Sequence, residues 1–263
     1  ITVANLAAGD KRLALGANGK VYVGDKAKQI VYAVDVASAQ ATSIVTGLAV
    51  QNVRVLSNGK LLIATTTGVY LSDTIGAPVK ISSQASSDAM ELAGGGFLLK
   101  AYGQTKLYKL DEAGNLVEFI NSNLLESTGG QLEQEADGAI LVTNPGQNRV
   151  LRFELTGAFR DTPAAYTNGT PYQLVRFGDK GYLMSTSNGL YWYNENWIVE
   201  RLTFAAVNTA IALPDGSLLW SDSASVNRMA FTPADPSGVA AKIDATLAKS
   251  ATKLVAGSIF SAS

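Results

Sequence analysis

Short apolar runs recur along the chain, each two residues after a turn-type residue. The six runs are Val21–Val23, Leu61–Ile63, Phe97–Leu99, Ile140–Val142, Tyr182–Met184 and Leu218–Trp220. The turn residues are Gly19, Gly59, Gly95, Gly138, Lys180 and Gly216. They follow one another at steps of 40, 36, 43, 42 and 36 residues. A repeat near 40 residues with several short strands per unit predicts a β-propeller.

Each repeat carries the pattern of four antiparallel strands. In the second unit Asn52–Leu56 leads into Asn58-Gly59, a dipeptide that predicts a type I′ hairpin because both central residues of that turn need positive φ. The apolar run that follows does not alternate with polar residues, which indicates a strand covered on both faces. Gly68–Asp73 and Val79–Ser82 supply the third and fourth strands. We therefore predict an all-β fold, a six-bladed β-propeller with four-stranded antiparallel blades.

The repeat covers nearly the whole sequence and predicts a single domain over residues 1–263. We expect blades at 10–47, 51–84, 88–124, 130–168, 172–204 and 208–263. Either terminus could supply the last strand of blade six, and we favour residues 1–6. Val239, Ile243 and Leu247 are four residues apart, a spacing that predicts a short C-terminal helix.

Composition restricts the chemistry that the chain can perform. It has no histidine and no cysteine, which excludes Ser-His-Asp and Cys-His nucleophilic sites and histidine-based zinc sites. Any catalysis must use carboxylates, Lys, Tyr, Ser/Thr or a metal held by oxygen ligands. The net charge is −1 and the 21 basic residues are scattered, so we expect no nucleic-acid partner. No apolar run approaches the roughly 18 residues of a membrane span.

A column of polar residues stands seven places before the six turn residues. It consists of Arg12, Asn52, Asp88, Gln131, Gln173 and Thr209. Each is followed by an apolar residue, so the column marks where the innermost strand of each blade begins. In a propeller these residues form a ring around one mouth of the channel, which we call the polar ring. They could bind a ligand or a metal, or the strands could simply begin at a water-filled channel.

Carboxylates follow on the same predicted inner strands. Glu91 and Glu133 are the main candidates, and Glu135 shares a strand face with Glu133. Paired carboxylates could act as acid and base, or bind calcium through oxygen ligands. The alternative is a network of ion pairs with Arg54 and Arg176 that lines the channel.

Two segments resemble a known repeat family. Asp137–Val142 followed by Asn148-Arg149-Val150 resembles the NHL repeat, and Asp215–Asp222 with Asn227-Arg228 is a second match. The strand pattern is also similar to that of SMP-30/gluconolactonase and strictosidine-synthase-like propellers. The resemblance implies six blades with any site at the central channel. In gluconolactonase-like members it implies a divalent metal, usually calcium, on Glu, Asn and Asp ligands.

Taken together, these observations favour a non-catalytic binding or scaffold propeller without a cofactor. We expect a monomer whose polar ring binds a protein, a small molecule or a carbohydrate at the channel mouth. The first residue is Ile1 rather than Met, which favours an exported chain in the periplasm or outside the cell. The alternative is a calcium-dependent lactonase- or esterase-like hydrolase with metal ligands Asn52, Asp88, Glu91 and Glu133.

Overall fold

The protein folds into six separate sheets of four antiparallel strands. The computed structural model describes residues 2–5, 10–17, 19–38, 40–73, 76–127, 129–223 and 225–231. The sheets form six blades, which confirms the predicted all-β, six-bladed propeller. Residues 232–263, with the expected C-terminal helix, lie outside the described residues.

The first strand of the chain, β1 (Thr2–Asn5), belongs to the last blade. Blade 1 contains β2 (Lys11–Leu15), β3 (Val21–Asp25), β4 (Ile30–Asp35) and β5 (Gln40–Thr46). Blade 2 contains β6 (Val50–Val55), β7 (Leu61–Thr65), β8 (Gly68–Ser72) and β9 (Val79–Ser82). Blade 3 contains β10 (Ser86–Glu91), β11 (Phe97–Ala101), β12 (Lys106–Leu110) and β13 (Leu116–Asn121).

The second half of the ring repeats this order. Blade 4 contains β14 (Leu132–Gln134), β15 (Ile140–Asn144), β16 (Arg149–Phe153) and β17 (Phe159–Ala164). A 3₁₀ turn, Pro145–Gln147, separates β15 from β16. Blade 5 contains β18 (Pro171–Arg176), β19 (Tyr182–Thr186), β20 (Gly189–Tyr193) and β21 (Val199–Arg201). Blade 6 contains β22 (Thr209–Ala212), β23 (Leu218–Ser221), β24 (Ser225–Met229) and β1.

The hairpin turn after each inner strand differs from the predicted type I′ turn. In blade 2 the amide of Leu56 donates to the carbonyl of Lys60, and the amide of Gly59 donates to the carbonyl of Leu56. Gly59 has a φ of 82°, whereas Asn58 is not among the residues with positive φ. These bonds describe a three-residue loop, a type I turn closed by a glycine in the left-handed region. The same pair of bonds recurs in all six blades.

Six hydrophobic clusters lie between neighbouring blades and close the ring. Blade 3 packs on blade 4 through residues such as Met90 and Ile140. Blade 1 packs on blade 6 in the same way, through Val21 and Leu219. The triple apolar runs fill these layers, as expected for strands buried on both faces. Closure therefore depends on side-chain packing as well as on hydrogen bonds.

The N-terminal strand closes blade six by hydrogen bonding. β1 pairs antiparallel with β24, with Thr2 opposite Asn227 and Asn5 opposite Ser225. Blade six thus joins both ends of the described chain in one sheet. Among the described residues, no helical segment has the length and hydrophobicity needed to cross a bilayer.

Candidate functional site in the central channel

The residues of the polar ring lie inside the channel and are mostly shielded from solvent. Each stands near the start of an inner strand or, for Gln131, directly before one. Arg12 is half-buried, whereas the other five residues are buried: Asn52, Asp88, Gln131, Gln173 and Thr209. We call these five the polar belt. Loop–strand junctions are normally solvated, so their burial requires internal hydrogen-bond partners.

One arc of the belt joins blades 2, 3 and 4. Asn52 donates from Nδ2 to Oδ1 of Asp88 and, at 2.9 Å, to Oε1 of Gln131. The backbone amide of Leu132 donates to Oδ2 of Asp88 at 2.7 Å. The amide of Ala89 donates to Oδ1 of the same carboxylate at 2.8 Å. Asp88 is therefore the acceptor that holds three inner strands together.

The other arc joins blades 5, 6 and 1. Thr209 donates its hydroxyl to Oε1 of Gln173. The amide of Ala210 donates to the same oxygen at 2.9 Å. The amide of Leu13 donates to Oγ1 of Thr209 at 3.4 Å. The belt thus satisfies most of its polar groups across blade boundaries, with Asn52 Oδ1 as an exception among the described residues.

Arg54 carries the positive charge beside the belt. It stands two residues after Asn52 on β6, so both side chains lie on one face of the strand. Its Nη2 donates to Oδ2 of Asp88 at 2.7 Å and its Nε donates to Oδ1 at 3.2 Å. Its Nη1 lies 3.7 Å from Oε2 of Glu133. We call Arg54, Asp88 and Glu133 the Arg54 cluster.

The charges of the cluster shift one another's titration. Burial by itself would lower the pKa of Arg54, but the neighbouring charges of Asp88 and Glu133 raise it above its usual value. Burial raises the pKa of Glu133, and the nearby Arg54 offsets only part of that shift. Arg54 therefore remains cationic, whereas Glu133 gains protons more readily than an exposed glutamate.

The candidate metal ligands are only partly brought together. Asn52, Asp88 and Glu133 converge on Arg54. Glu91 instead accepts hydrogen bonds from the amide and the hydroxyl of Ser57, both at 2.8 Å, at an exposed turn. Within the part of the chain that the structure describes, no group of three or more acidic side chains could hold a metal ion. The structure thus separates Glu91 from the other predicted ligands.

Two cavities lie on either side of the belt. The first, of about 280 Å³, opens where the inner strands end, and we call it the lumen cavity. Arg54, Arg176 and Gln173 are its polar lining, and residues such as Val53 and Ile211 form apolar walls. The second, of about 430 Å³, lies where the inner strands begin, and we call it the mouth cavity. Arg12 and Gln131 of the polar ring line it.

Several residues of the mouth cavity escaped the sequence analysis. Lys26, Tyr102 and Tyr172 line it together with Gly129 and Gly130. Most of these residues belong to loops between strands or blades, whose lengths vary from unit to unit. Alignment on the hairpin turns therefore does not place them in a column. Lys26 and Tyr102 directly follow the second strands β3 and β11, and Tyr172 directly precedes Gln173 on β18. A search for basic and aromatic residues at those positions would therefore have found them.

A fully buried ion pair flanks the mouth of the channel in blade 1. Lys11 Nζ lies 3.1 Å from Oδ2 of Asp25, and both side chains are completely inaccessible to solvent. Asp25 also accepts the amide of Lys28 through Oδ1 at 3.0 Å. The pair joins β2 to β3, where the two residues stand opposite each other in the ladder.

Solved structures of the same architecture include enzymes. A gluconolactonase from Xanthomonas campestris matches with a TM-score of 0.73 and 13% identity over 86% of each chain. Regucalcin, a calcium-binding protein from Agrobacterium tumefaciens, matches with a TM-score of 0.66 and 15% identity over 89% of this chain and 86% of that one. Virginiamycin B lyase from Staphylococcus aureus matches with a TM-score of 0.64 and 11% identity over 88% of each chain. No protein-family model and no curated protein matches the sequence.

These comparisons confirm the similarity to gluconolactonase-like propellers and change the functional expectation. The prediction of a non-catalytic binding or scaffold propeller is wrong, because the similar propellers include a gluconolactonase and a lyase. The alternative, a calcium-dependent lactonase-like hydrolase, fits them better. At this level of identity the likeness establishes the fold, and the activity is a matter for proposal.

Proposed function

We propose that the protein is a calcium-dependent lactonase- or esterase-like hydrolase that acts in the central channel at the Arg54 cluster. The observation that carries the proposal is that Arg54, which lines the lumen cavity, also contacts Asp88 and lies near Glu133. A channel with a fixed positive charge and a carboxylate of raised pKa offers the two groups that ester hydrolysis requires. The gluconolactonase architecture supports the same reaction class.

The oxygen atoms near the Arg54 cluster are of the chemical type that binds a hard cation such as calcium. Asn52 Oδ1 is buried and accepts no hydrogen bond within the described chain. Together with the carboxylate of Asp88 it offers oxygen ligands, which calcium prefers, while Glu133 stays available as a base. These residues would hold the ion, and a bound calcium ion would polarise the substrate carbonyl. Arg54 donates to both oxygens of Asp88, so it competes with a cation for that carboxylate.

The side chains of the cluster have separate roles in the proposed hydrolysis. Glu133 takes a proton from a water molecule, whose oxygen adds to the ester carbonyl. The charge that develops on the carbonyl oxygen is stabilised by the guanidinium of Arg54. The carbon–oxygen bond to the alcohol then breaks, and the proton on Glu133 passes to the departing oxygen. The apolar walls of the lumen cavity limit competing water.

Calcium is expected to stabilise the fold through Asn52. A ligand of the native state at 100 times its Kd adds about 2.7 kcal/mol to the free energy of unfolding. Thermal unfolding with calcium, magnesium and a chelator measures this effect. Asn52→Ala should abolish the calcium shift, whereas Asn58→Ala, at an exposed hairpin turn, should retain it. The absence of a calcium shift in the wild type would remove calcium from the proposal.

Replacement of the general base should reduce turnover and alter its pH dependence. Glu133→Gln is expected to lower kcat for lactones and aryl esters by about 10²–10⁴-fold. Glu118→Gln, which removes an exposed carboxylate of β13, is the matched control and should leave kcat unchanged. In the wild type the rate should rise with pH through the raised pKa of Glu133 and level off above it, because only the carboxylate accepts a proton.

The activity assay also decides whether the protein is a hydrolase. A panel of lactones and aryl esters should be turned over with calcium present and more slowly with a chelator. No turnover of any member, under conditions in which the protein is folded, would reject the hydrolase. Export from the cytoplasm stays a prediction, and fractionation of the source cells tests it.

A further inference from the structure

The mouth cavity has the features of a separate ligand site. It lies on the opposite side of the polar belt from the lumen cavity. Arg12 and Pro171, at the starts of inner strands, line the mouth cavity, whereas Val55 and Arg176, at the ends of inner strands, line the lumen cavity. The volume of the mouth cavity, about 430 Å³, falls within the range of small-molecule sites. The Arg54 cluster does not line it, so its ligand would not be the substrate of the proposed hydrolysis.

Arg12 is the main charged group of the cavity and, among the residues that the structure describes, forms no salt bridge with a carboxylate. Its Nη1 donates to the carbonyls of Lys11 and Asn208, at 3.2 and 3.3 Å. Its Nε is buried and makes no hydrogen bond to the described residues. Asp10 and Asp88 attract it from a distance, but burial dominates and lowers the pKa of the guanidinium. A half-buried guanidinium with a buried, unbonded Nε is stabilised when an anion binds next to it.

The other charged residues of the cavity leave one positive charge in excess. Lys26 adds a second cation, and Asp10 supplies the only carboxylate of the described lining. With Arg12 this gives two positive charges and one negative charge. A ligand with a single negative charge would neutralise the cavity, whereas a dianion would overcompensate. The balance therefore favours a monocarboxylate.

Neutral groups of the lining suit the rest of such a ligand. Gln131 accepts from Asn52 through Oε1, which leaves its Nε2 as a donor with no hydrogen bond to the described residues. Tyr102 and Tyr172 add aromatic faces, and Pro145 and Pro171 add apolar surface. Rings stack favourably against such faces. A ligand that joins a carboxylate to a ring would thus find cations for its carboxylate and aromatic faces for its ring.

We propose that the mouth cavity binds a small ring-bearing monocarboxylate, with its carboxylate beside Arg12 and Lys26 and its ring between the tyrosines. The site is independent of the proposed hydrolase, because it shares no lining residue with the Arg54 cluster. Its ligand can therefore bind even if the channel performs no chemistry.

Calorimetric titration of the full chain with benzoate tests the proposal. We expect Arg12→Gln to weaken benzoate binding about tenfold or more, since a charge-assisted contact is lost. Lys26→Gln, on an exposed turn, should weaken benzoate binding by a smaller factor. Because this variant is expected to fold normally, it still tests the proposal if the Arg12 variant does not fold. Lys60→Gln removes an exposed lysine that does not line the cavity and should have no effect.

Two further probes separate the proposed ligand class from its alternatives. Benzamide has the shape of benzoate without its charge and should bind at least about tenfold more weakly. Equal binding of the two would overturn the proposal, as would benzoate affinity unaffected by both Arg12→Gln and Lys26→Gln. Tight binding of inorganic phosphate without binding of benzoate would show an oxyanion site and reject the monocarboxylate. Affinity for benzoate should also fall as sodium chloride is raised.

Discussion

Replacing Asp88 with alanine is expected to lower the free energy of unfolding by about 3–5 kcal/mol, the usual cost of removing one partner from a buried ion pair. Asp88 accepts five hydrogen bonds, from Arg54, Asn52, Ala89 and Leu132. The substitution leaves two buried backbone amides without their acceptor and removes the carboxylate that contacts Arg54, whose guanidinium keeps Glu133 nearby. Three inner strands lose their shared contact at once.

Thermal or urea unfolding measures this loss. At roughly 2–4 °C per kcal/mol for a protein of this size, the Tm should fall by about 10 °C. Asp161→Ala is the matched control, because Asp161 pairs with Arg152 at a half-exposed position and should cost less than about 1 kcal/mol. If the two variants lose similar stability, Asp88 is not the residue that holds the inner strands. The double variant Arg54→Leu with Asp88→Leu should recover part of the loss, since it removes both charges.

The variant Lys11→Met should lose a similar amount, about 3–5 kcal/mol. Asp25 would keep the amide of Lys28 as a donor but would lose the ammonium that balances its charge. Both side chains are fully inaccessible to solvent, so water cannot take the place of the lysine.

Urea unfolding checks this second expectation. Lys106→Met is the control, because Lys106 pairs with Glu118 on the exposed face of blade 3 and should change stability by less than about 1 kcal/mol. The double variant Lys11→Met with Asp25→Leu should be more stable than the single one, because apolar pairs often replace buried ion pairs well. A single variant as stable as the wild type would contradict the assigned role of the pair.

The architecture could be predicted because its signal is local and repeated. Each blade buries its central strands on both faces, so the apolar runs are visible without any knowledge of distant contacts. Strand β17 gave no such signal, since it contains Pro163 and lies at the outer edge of its blade, where proline is tolerated. The turn type was also missed, because Asn-Gly fits both a two-residue loop and the three-residue loop that is present.

The residues of the polar belt could be predicted from the sequence, but the burial of their side chains could not. The polar column at the start of the inner strands is clear in the aligned sequence, and the structure brings Asn52, Asp88 and Gln131 into contact. Their burial depends on bonds between residues 36 and 79 positions apart, which no local pattern encodes. Glu91 stands three residues after Asp88 on β10, so the alternation of side chains directs the two carboxylates to opposite faces of the strand, and Glu91 reaches the turn at Ser57.

The pairing of β1 with β24 has a consequence for the order in which the molecule is made. Residues 2–5 leave the ribosome before blades 1 to 5, but their hydrogen-bonding partners, residues 225–229, emerge only after those five blades. Blades 1 to 5 can fold as they are synthesised, but residues 2–5 have no strand to pair with until β24 has been made. Contacts between such distant segments form slowly, so we expect a stalled ribosome complex truncated before residue 225 to hold an open arc that chaperones can still engage.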